Sequence, residues 1–592
     1  MSVSREFRLA TLFLVAMTLA VTAAAAGAPD WVVKSDENTA IVTAMFAEYL
    51  PELMGESGFL GVDEEVTQLS PERDAKAVAD EKRVLEILRR KLDKEEHPAV
   101  AQDLEILIDT VQRDLEMTEL EQRLMLPYFD VSEQVFRGLR GLLDEQVAEE
   151  RRAAALVRLR RYAGLEQGYT PLTLQAEAYT RARLGDPGLL GPFREKVEKD
   201  LARAPRLLEG VQELLATYGP AGHEEAYEAL GRQLDAYHAF VRQKVLPRSR
   251  KDYRVPAELY ALELQDLGVD MPIDELASRA KVAFKEIQNE MGSLAALVAR
   301  ARELPSTDYR DVLRELKKDQ LVGEAILARY AKRIEQIEAI IARERIVSLP
   351  EREMRLRLAS EAEAAMVQAA TIRWPQLLGE AADVGEIILP LRRASSDGSA
   401  DMAIDDFTFD AAAWSIVAHE GRPGHELQMA AMLERGVSKA RAFFAFNSTN
   451  VEGWALYVES ELKPYLPLDA QLVSLQHRLL RAARAFLDPG LQLGQVTRGE
   501  AMRVLTEDVV ISVALAEQEV ERYTTRSPGQ ATSYFCGYTR LLELRADAER
   551  MLGDDFDRRA FNDFILDQGL LPPSLLRKAV IEDFVTESSS CL

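Results

Sequence analysis

Two of the chain's six histidines, His419 and His425, fall in one decapeptide, His-Glu-Gly-Arg-Pro-Gly-His-Glu-Leu-Gln at 419–428, with Glu420 directly after the first. A pair of neutral imidazoles is a ligand set for Zn2+. A carboxylate beside them can take a proton from a metal-activated water. In the familiar H-E-x-x-H the two histidines are i and i+4 and share a helix face. Here they are six apart. That is about 600° around a continuous helix, so they would point away from each other. They can meet on one ion only if the helix is broken between them. Gly421, Pro423 and Gly424 are residues that break one. Taken alone, the motif is either a zinc pair or two polar loop histidines.

A zinc hydrolase also needs a third ligand and an open fourth position. Val451-Glu-Gly-Trp-Ala-Leu-Tyr-Val-Glu places Glu452 27 residues after His425. Glu459, seven further on, falls on the same helix face. Acids beside Trp454 and Leu456 on a mostly apolar helix need a partner such as a metal. Two readings stand: Glu452 as third ligand with Glu459 supporting it or turned outward, or a solvated helix surface. Hydrolysis also needs a donor to the oxyanion, and the phenols of Tyr534 and Tyr523 are candidates. Arg522 could clamp a substrate's C-terminal carboxylate, which would make a carboxypeptidase, or pair with an acid such as Asp488. Gln428 can orient a ligand from behind. His97, His223, His238 and His477 lack a matching motif and read as surface or core residues.

Mostly helices must position these groups. Charges mixed with apolar residues at three-to-four spacing predict helices over 74–92, 101–124, 131–162, 195–218, 223–246, 273–304 and 309–344. Gly and Pro at 185–188 and 218–222 predict turns between them. The texture changes near Trp374-Pro375. A short strand is expected at 385–390, a loop at 395–399 and a second strand at 402–409. Asp410 is expected to N-cap the helix carrying His419. An edge strand there could hold an extended peptide through its free backbone groups, or the pair could simply be a hairpin covering the core.

The chain has 592 residues, 47% hydrophobic and 29% charged, enough for a large core in two lobes. The expected divisions are a signal peptide at 1–26, an N-terminal helical region at 27–370 and a C-terminal metal-binding region at 371–592. Arg5 and Arg8, an apolar run at 9–20 and Ala24-Ala25-Ala26 form the signal pattern. They predict a periplasmic or secreted protein with no stable membrane insertion after cleavage. No cysteine lies near that site, so no lipid anchor is expected. The two cysteines, Cys536 and Cys591, make no disulfide scaffold. A net charge of −25 argues against nucleic acid as a partner, since neutralising phosphates takes a basic face.

Three blocks together resemble one family. They are H-E-G-x-P-G-H-x-x-Q, the later E-G-W-A-L-Y-x-E, and a C-terminal run from Glu519-Val-Glu-Arg-Tyr through Ser527-Pro-Gly-Gln to Gly569-Leu-Leu-Pro. The resemblance is to bacterial family 885 of unknown function, grouped with the zinc peptidases of the H-E-x-x-H clan. It covers roughly 375–580 well and 35–350 more weakly. It implies a mainly α, multi-helix fold like the carboxypeptidase-like gluzincins, with zinc on His419, His425 and Glu452 and Glu420 as general base. Family members often carry His-His after Pro-Gly, where this chain has His425-Glu426. They also tend to carry His after Asp-x-Gly-Leu, where this chain has Gln492, which could still donate a hydrogen bond. The expected function is a zinc-dependent peptidase acting on short peptides. The alternatives are a non-catalytic binding protein that retains the fold and a zinc hydrolase of another amide or ester.

Overall fold

The computed structural model describes residues 29–360, 363, 370–379, 384–390, 392–393, 402–403 and 405–590. The expected signal peptide, the loop at 395–399 and Cys591 lie outside the described residues. The protein is mainly α, with two small sheets.

Seven helices build the site: α1 (Ile273–Ala301), α2 (Glu324–Glu344), α3 (Asp410–Glu420), α4 (His425–Arg435), α5 (Ser448–Leu462), α6 (Leu468–Gln492) and α7 (Gln530–Leu552). α1 buries Leu276, Ala280, Phe284, Ile287, Met291 and Ala295, one stripe at three-to-four spacing, and lays it along α6. α6 is buried around most of its circumference and also packs on α3 and α7, which makes it the axis of this half. α5 crosses α7 at a glycine contact. A Cβ on Gly537 would lie 1.9 Å from the Thr449 carbonyl oxygen, and one on Gly453 would lie 2.6 Å from the Gly537 carbonyl carbon. Only two residues without side chains let these helices touch backbone to backbone.

One apolar core gathers Ile106 with residues from 269–347 and from 370–585, so both expected regions contribute to it. A second core occupies 66–246, and a third joins helices between 42 and 115 to Leu378, Ala440 and Phe444. No helix among the described residues is long and apolar enough to cross a membrane.

Several elements differ from expectation. The helix expected over 131–162 stops at Gly141, leaving Val131–Arg140, Glu149–Arg152 and Ala154–Tyr162. That over 309–344 splits into Tyr309–Leu316 and α2, because Gly323 takes φ 59°, which no helix continues through. That over 223–246 runs as α-helix only to Phe240 and then as a π turn, Val241–Val245. Asp410 is the first residue of α3 rather than its cap, and its carboxylate takes Arg329 and Arg333 instead.

The strand expected at 385–390 exists as β3 (Glu386–Leu389), but it is no edge. It lies between β1 (Arg355–Leu358), to which it is parallel, and β2 (Thr371–Arg373), to which it is antiparallel. Among the described residues of 402–409, β5 (Met402–Ala403) is the strand, paired with β4 (Arg392–Arg393), while Phe409 bridges to Gln320.

Candidate metal centre

α3 is alanine-rich, and its residues 411–419 are all buried, as expected of a helix enclosed by core on every side. It ends at Glu420, and α4 begins at His425. The four residues between fold back tightly. A Cβ on Gly424 would sit 1.9 Å from the carbonyl oxygen of His419, so only glycine fits. The Trp454 indole N–H of α5 donates to the Pro423 carbonyl at 3.1 Å and pins the turn. The last turn of one helix and the first residue of the next therefore present their histidines together. The two rings stand 4.7 Å apart between centroids.

Glu452 on α5 completes the group. Its Oε2 lies 3.4 Å from His419 Nε2 and 3.4 Å from His425 Nε2. Glu452 is half-buried, and its enclosed Oε2 has no other hydrogen-bond partner among the described residues. An enclosed carboxylate oxygen with so little to bond is costly. Four ligands about 2.1 Å from a tetrahedral Zn2+ stand about 3.4 Å from one another, so the two distances from Glu452 match those of ligands on one ion. Glu420 also belongs to the cluster: one ligand atom each from His419, Glu420 and His425 fall within 4.8 Å of one another. Glu452 stands equidistant from both imidazoles and Glu420 belongs to the same cluster, so the two histidines could hold a metal with either acid. Both acids are partly buried.

A further layer holds the ligands. His419 Nδ1 donates to Glu459 Oε1 at 2.7 Å, which turns its Nε2 toward Glu452. Glu459 Oε2 accepts from Ser415 Oγ at 2.8 Å, and Ser415 Oγ is 2.8 Å from His477 Nδ1. Burial disfavours charge on His419, yet the neighbouring Glu452 and Glu459 carboxylates lift its pKa to about 9. Burial also works against ionising Glu452, but the two histidines hold it well below the usual carboxylate range. The site thus favours negative charge on its acid and positive charge beside it. Burial raises Glu420, which suits a group that must accept a proton.

Tyr534, from α7, lies parallel to the His419 ring with 6.3 Å between centroids. Its hydroxyl accepts from Arg522 Nη2 at 2.9 Å. Arg522 also donates to Gln530, and Gln530 Nε2 is 3.4 Å from Glu452 Oε1. Arg522 makes no hydrogen bond to Asp488, whose oxygens take the backbone N–H groups of Gly529 and Ala531 instead. Tyr523 points elsewhere, donating to Glu519 at 2.7 Å. Glu426, standing where relatives carry a second histidine, is fully buried and held by Arg422 at 2.7 Å. Gln428 donates to Asn450 at 2.9 Å rather than to a histidine. The Gln492 amide donates to the Tyr523 carbonyl and accepts from Val255 N–H, tying two backbone segments together.

Sequence reasoning missed Ser415, His477, Arg481, Arg484 and Gln530. A signal for three of them existed. His477, Arg481, Arg484, Asp488 and Gln492 recur every three or four residues along α6, and all five are buried. A polar stripe at core spacing on an otherwise apolar helix marks an internal network, not a solvated face.

A cavity of about 920 Å3 opens between the N-terminal helices and this half. It is lined on the site side by Ser448, one turn before Glu452, and by Thr525 to Pro528. Ser448 accepts from Gln530 Nε2 at 2.9 Å, so the cavity adjoins the cluster through Gln530.

A family model described as bacterial protein of unknown function, DUF885, matches residues 51–580. Two solved structures share the fold. One is from Shewanella oneidensis, assigned as a lipoprotein of unknown function. It is 18% identical with TM-score 0.70, and the match covers 94% of this chain and 100% of that one. The other, assigned as a lipoprotein from Colwellia psychrerythraea, is 17% identical with TM-score 0.70, over 94% of this chain and 98% of that one. No curated protein matches the chain.

Proposed function

The chain belongs to the bacterial family DUF885, and from that premise and the geometry of its histidine cluster we propose that it is an exported, zinc-dependent peptidase acting on short peptides. The observation that carries the reading is the convergence on Glu452 Oε2 of the Nε2 atoms of both His419 and His425, each at 3.4 Å. When bound, Zn2+ supplies Lewis acidity to a water and to a substrate carbonyl. Glu420 accepts the proton of the attacking water on a carboxylate oxygen and hands it to the leaving amine nitrogen. Tyr534, stacked beside the His419 ring and held at its oxygen by Arg522, stabilises the oxyanion through its O–H. Export rests on the signal pattern at 1–26, and both similar structures are assigned as lipoproteins.

The test is metal content and peptide hydrolysis of wild type, His419→Ala and Glu420→Gln. His419→Ala is expected to lose zinc. Glu420→Gln is expected to keep it while losing roughly 100- to 10,000-fold in kcat. A wild-type protein that takes up no zinc refutes the proposal.

A further inference from the structure

The protons of the buried network can be counted. Glu459 receives His419 Nδ1–H on Oε1 at 2.7 Å and Ser415 Oγ on Oε2 at 2.8 Å. A hydroxyl carries one proton, and a carboxylate flanked by two donors only accepts. The Ser415 proton is therefore committed to Glu459. The remaining contact, Ser415 Oγ to His477 Nδ1 at 2.8 Å, must take its proton from the imidazole. His477 is then the Nδ1–H tautomer. Burial, with the nearby Arg481 cation, keeps His477 neutral by lowering its pKa to about 3, as a single-tautomer donor requires. Every proton in the chain from His477 through Ser415 points toward Glu459, and so does that of His419.

The layout on the helices fixes this direction. Ser415 stands one turn before His419 on α3, Glu459 is on α5, and His477 and Arg481 are one turn apart on α6. The Arg481 guanidinium lies 3.8 Å from Glu459 Oε1. If the relay ran the other way, the Glu459 Oε2 lone pair would face the Ser415 oxygen unbonded. The carboxylate could then rotate and release His419.

We propose that Ser415 and His477 are positioning residues for the metal centre: acting through Glu459, they fix the His419 tautomer that turns Nε2 toward His425 and Glu452. The inference rests on reading that cluster as a metal site. Removing an outer partner of a metal-bound histidine typically weakens metal binding by about 10- to 100-fold.

The experiment is Zn2+ affinity by competition with a chromophoric chelator, with the visible absorption spectrum of the Co2+-loaded protein, on the full chain. The proteins are wild type, Ser415→Ala, His477→Leu and His477→Asn, with thermal unfolding of each metal-free form measured alongside. Ser415→Ala and His477→Leu are expected to bind Zn2+ about 10-fold more weakly and to shift the Co2+ band. His477→Asn sets an amide N–H where Nδ1–H stood and is expected to restore both. The relay is overturned if wild type binds zinc but Ser415→Ala and His477→Leu match it in affinity and spectrum. It is equally overturned if His477→Asn is as impaired as His477→Leu, so that affinity follows bulk and not the donor. A wild type that binds neither ion overturns the metal reading itself, and the relay with it.

Discussion

The N-terminal half buries Arg158 and Glu52, and the C-terminal half buries the cluster of His419, His425 and Glu452. Arg158 donates from all three nitrogens, to the carbonyls of Glu65, Gly138 and Val62 at 3.1, 2.7 and 3.0 Å. Glu52 accepts Thr67 N–H, Thr67 Oγ1–H and Tyr162 O–H at 2.7 to 2.9 Å. Nothing there is left over. In the other cluster Glu452 Oε2, His425 Nδ1 and the neighbouring Gln428 Oε1 have no hydrogen-bond partner among the described residues. Both clusters are largely out of water, although Glu452 is only half-buried. What differs is whether the polar atoms are satisfied. A network closed on its own backbone stabilises the fold. A network that leaves polar atoms unbonded beside two imidazoles is a candidate site.

The contrast predicts opposite responses. Glu452→Gln should weaken Zn2+ binding on the order of 1,000-fold, beyond the effect of losing an outer partner, measured by chelator competition. Its metal-free stability should change less than that of the next variant. Arg158→Ala strands three buried carbonyls and should cost about 3 kcal/mol in urea unfolding while leaving zinc affinity untouched. If Glu452→Gln proves the more destabilising of the two without metal, Glu452 is a structural acid and the distinction fails.

The sequence carried one part of this contrast plainly. Gly421, Pro423 and Gly424 announce that the helix must break, and the structure breaks it there, between Glu420 and His425. Glu452 and Glu459 stood out as acids on an apolar helix; Glu459 proves buried and Glu452 half-buried beside the two histidines. The outer layer was hidden for a physical reason. Ser415 and His477 meet across 62 residues, and no local pattern encodes a pairing made by packing α3 against α6. The same holds for Gln492, whose amide ties Val255 N–H to the Tyr523 carbonyl and whose neighbours in sequence give no hint of it. Helix existence was legible from periodicity, but the interruptions were not. Runs such as 131–162 keep their apolar spacing through Gly141, and only tertiary packing decides that the chain turns there.

Asp488 gives the smallest effect, and the most delicate one, because two forces on it oppose each other. It accepts Gly529 N–H at 2.9 Å and Ala531 N–H at 3.3 Å, at the very start of α7, the helix that carries Tyr534. Those donors and the positive end of the helix favour a carboxylate. Burial works the other way and is the larger influence, raising its pKa to about 7. An unfolded aspartate titrates near about 3.9. Below that value both states hold the proton, and the stability gained from the raised pKa is fully present. Between about 4 and about 7 only the folded state keeps it, so this gain is lost as pH rises and is gone above about 7. Asp488→Asn retains an acceptor oxygen but cannot titrate. Relative to wild type, its urea midpoint should therefore fall less, or not at all, as pH rises from about 5 to about 8. If wild type instead gains on the variant across that range, the backbone donors outweigh burial, and Asp488 is an ionised cap for the helix that brings Tyr534 to the metal centre.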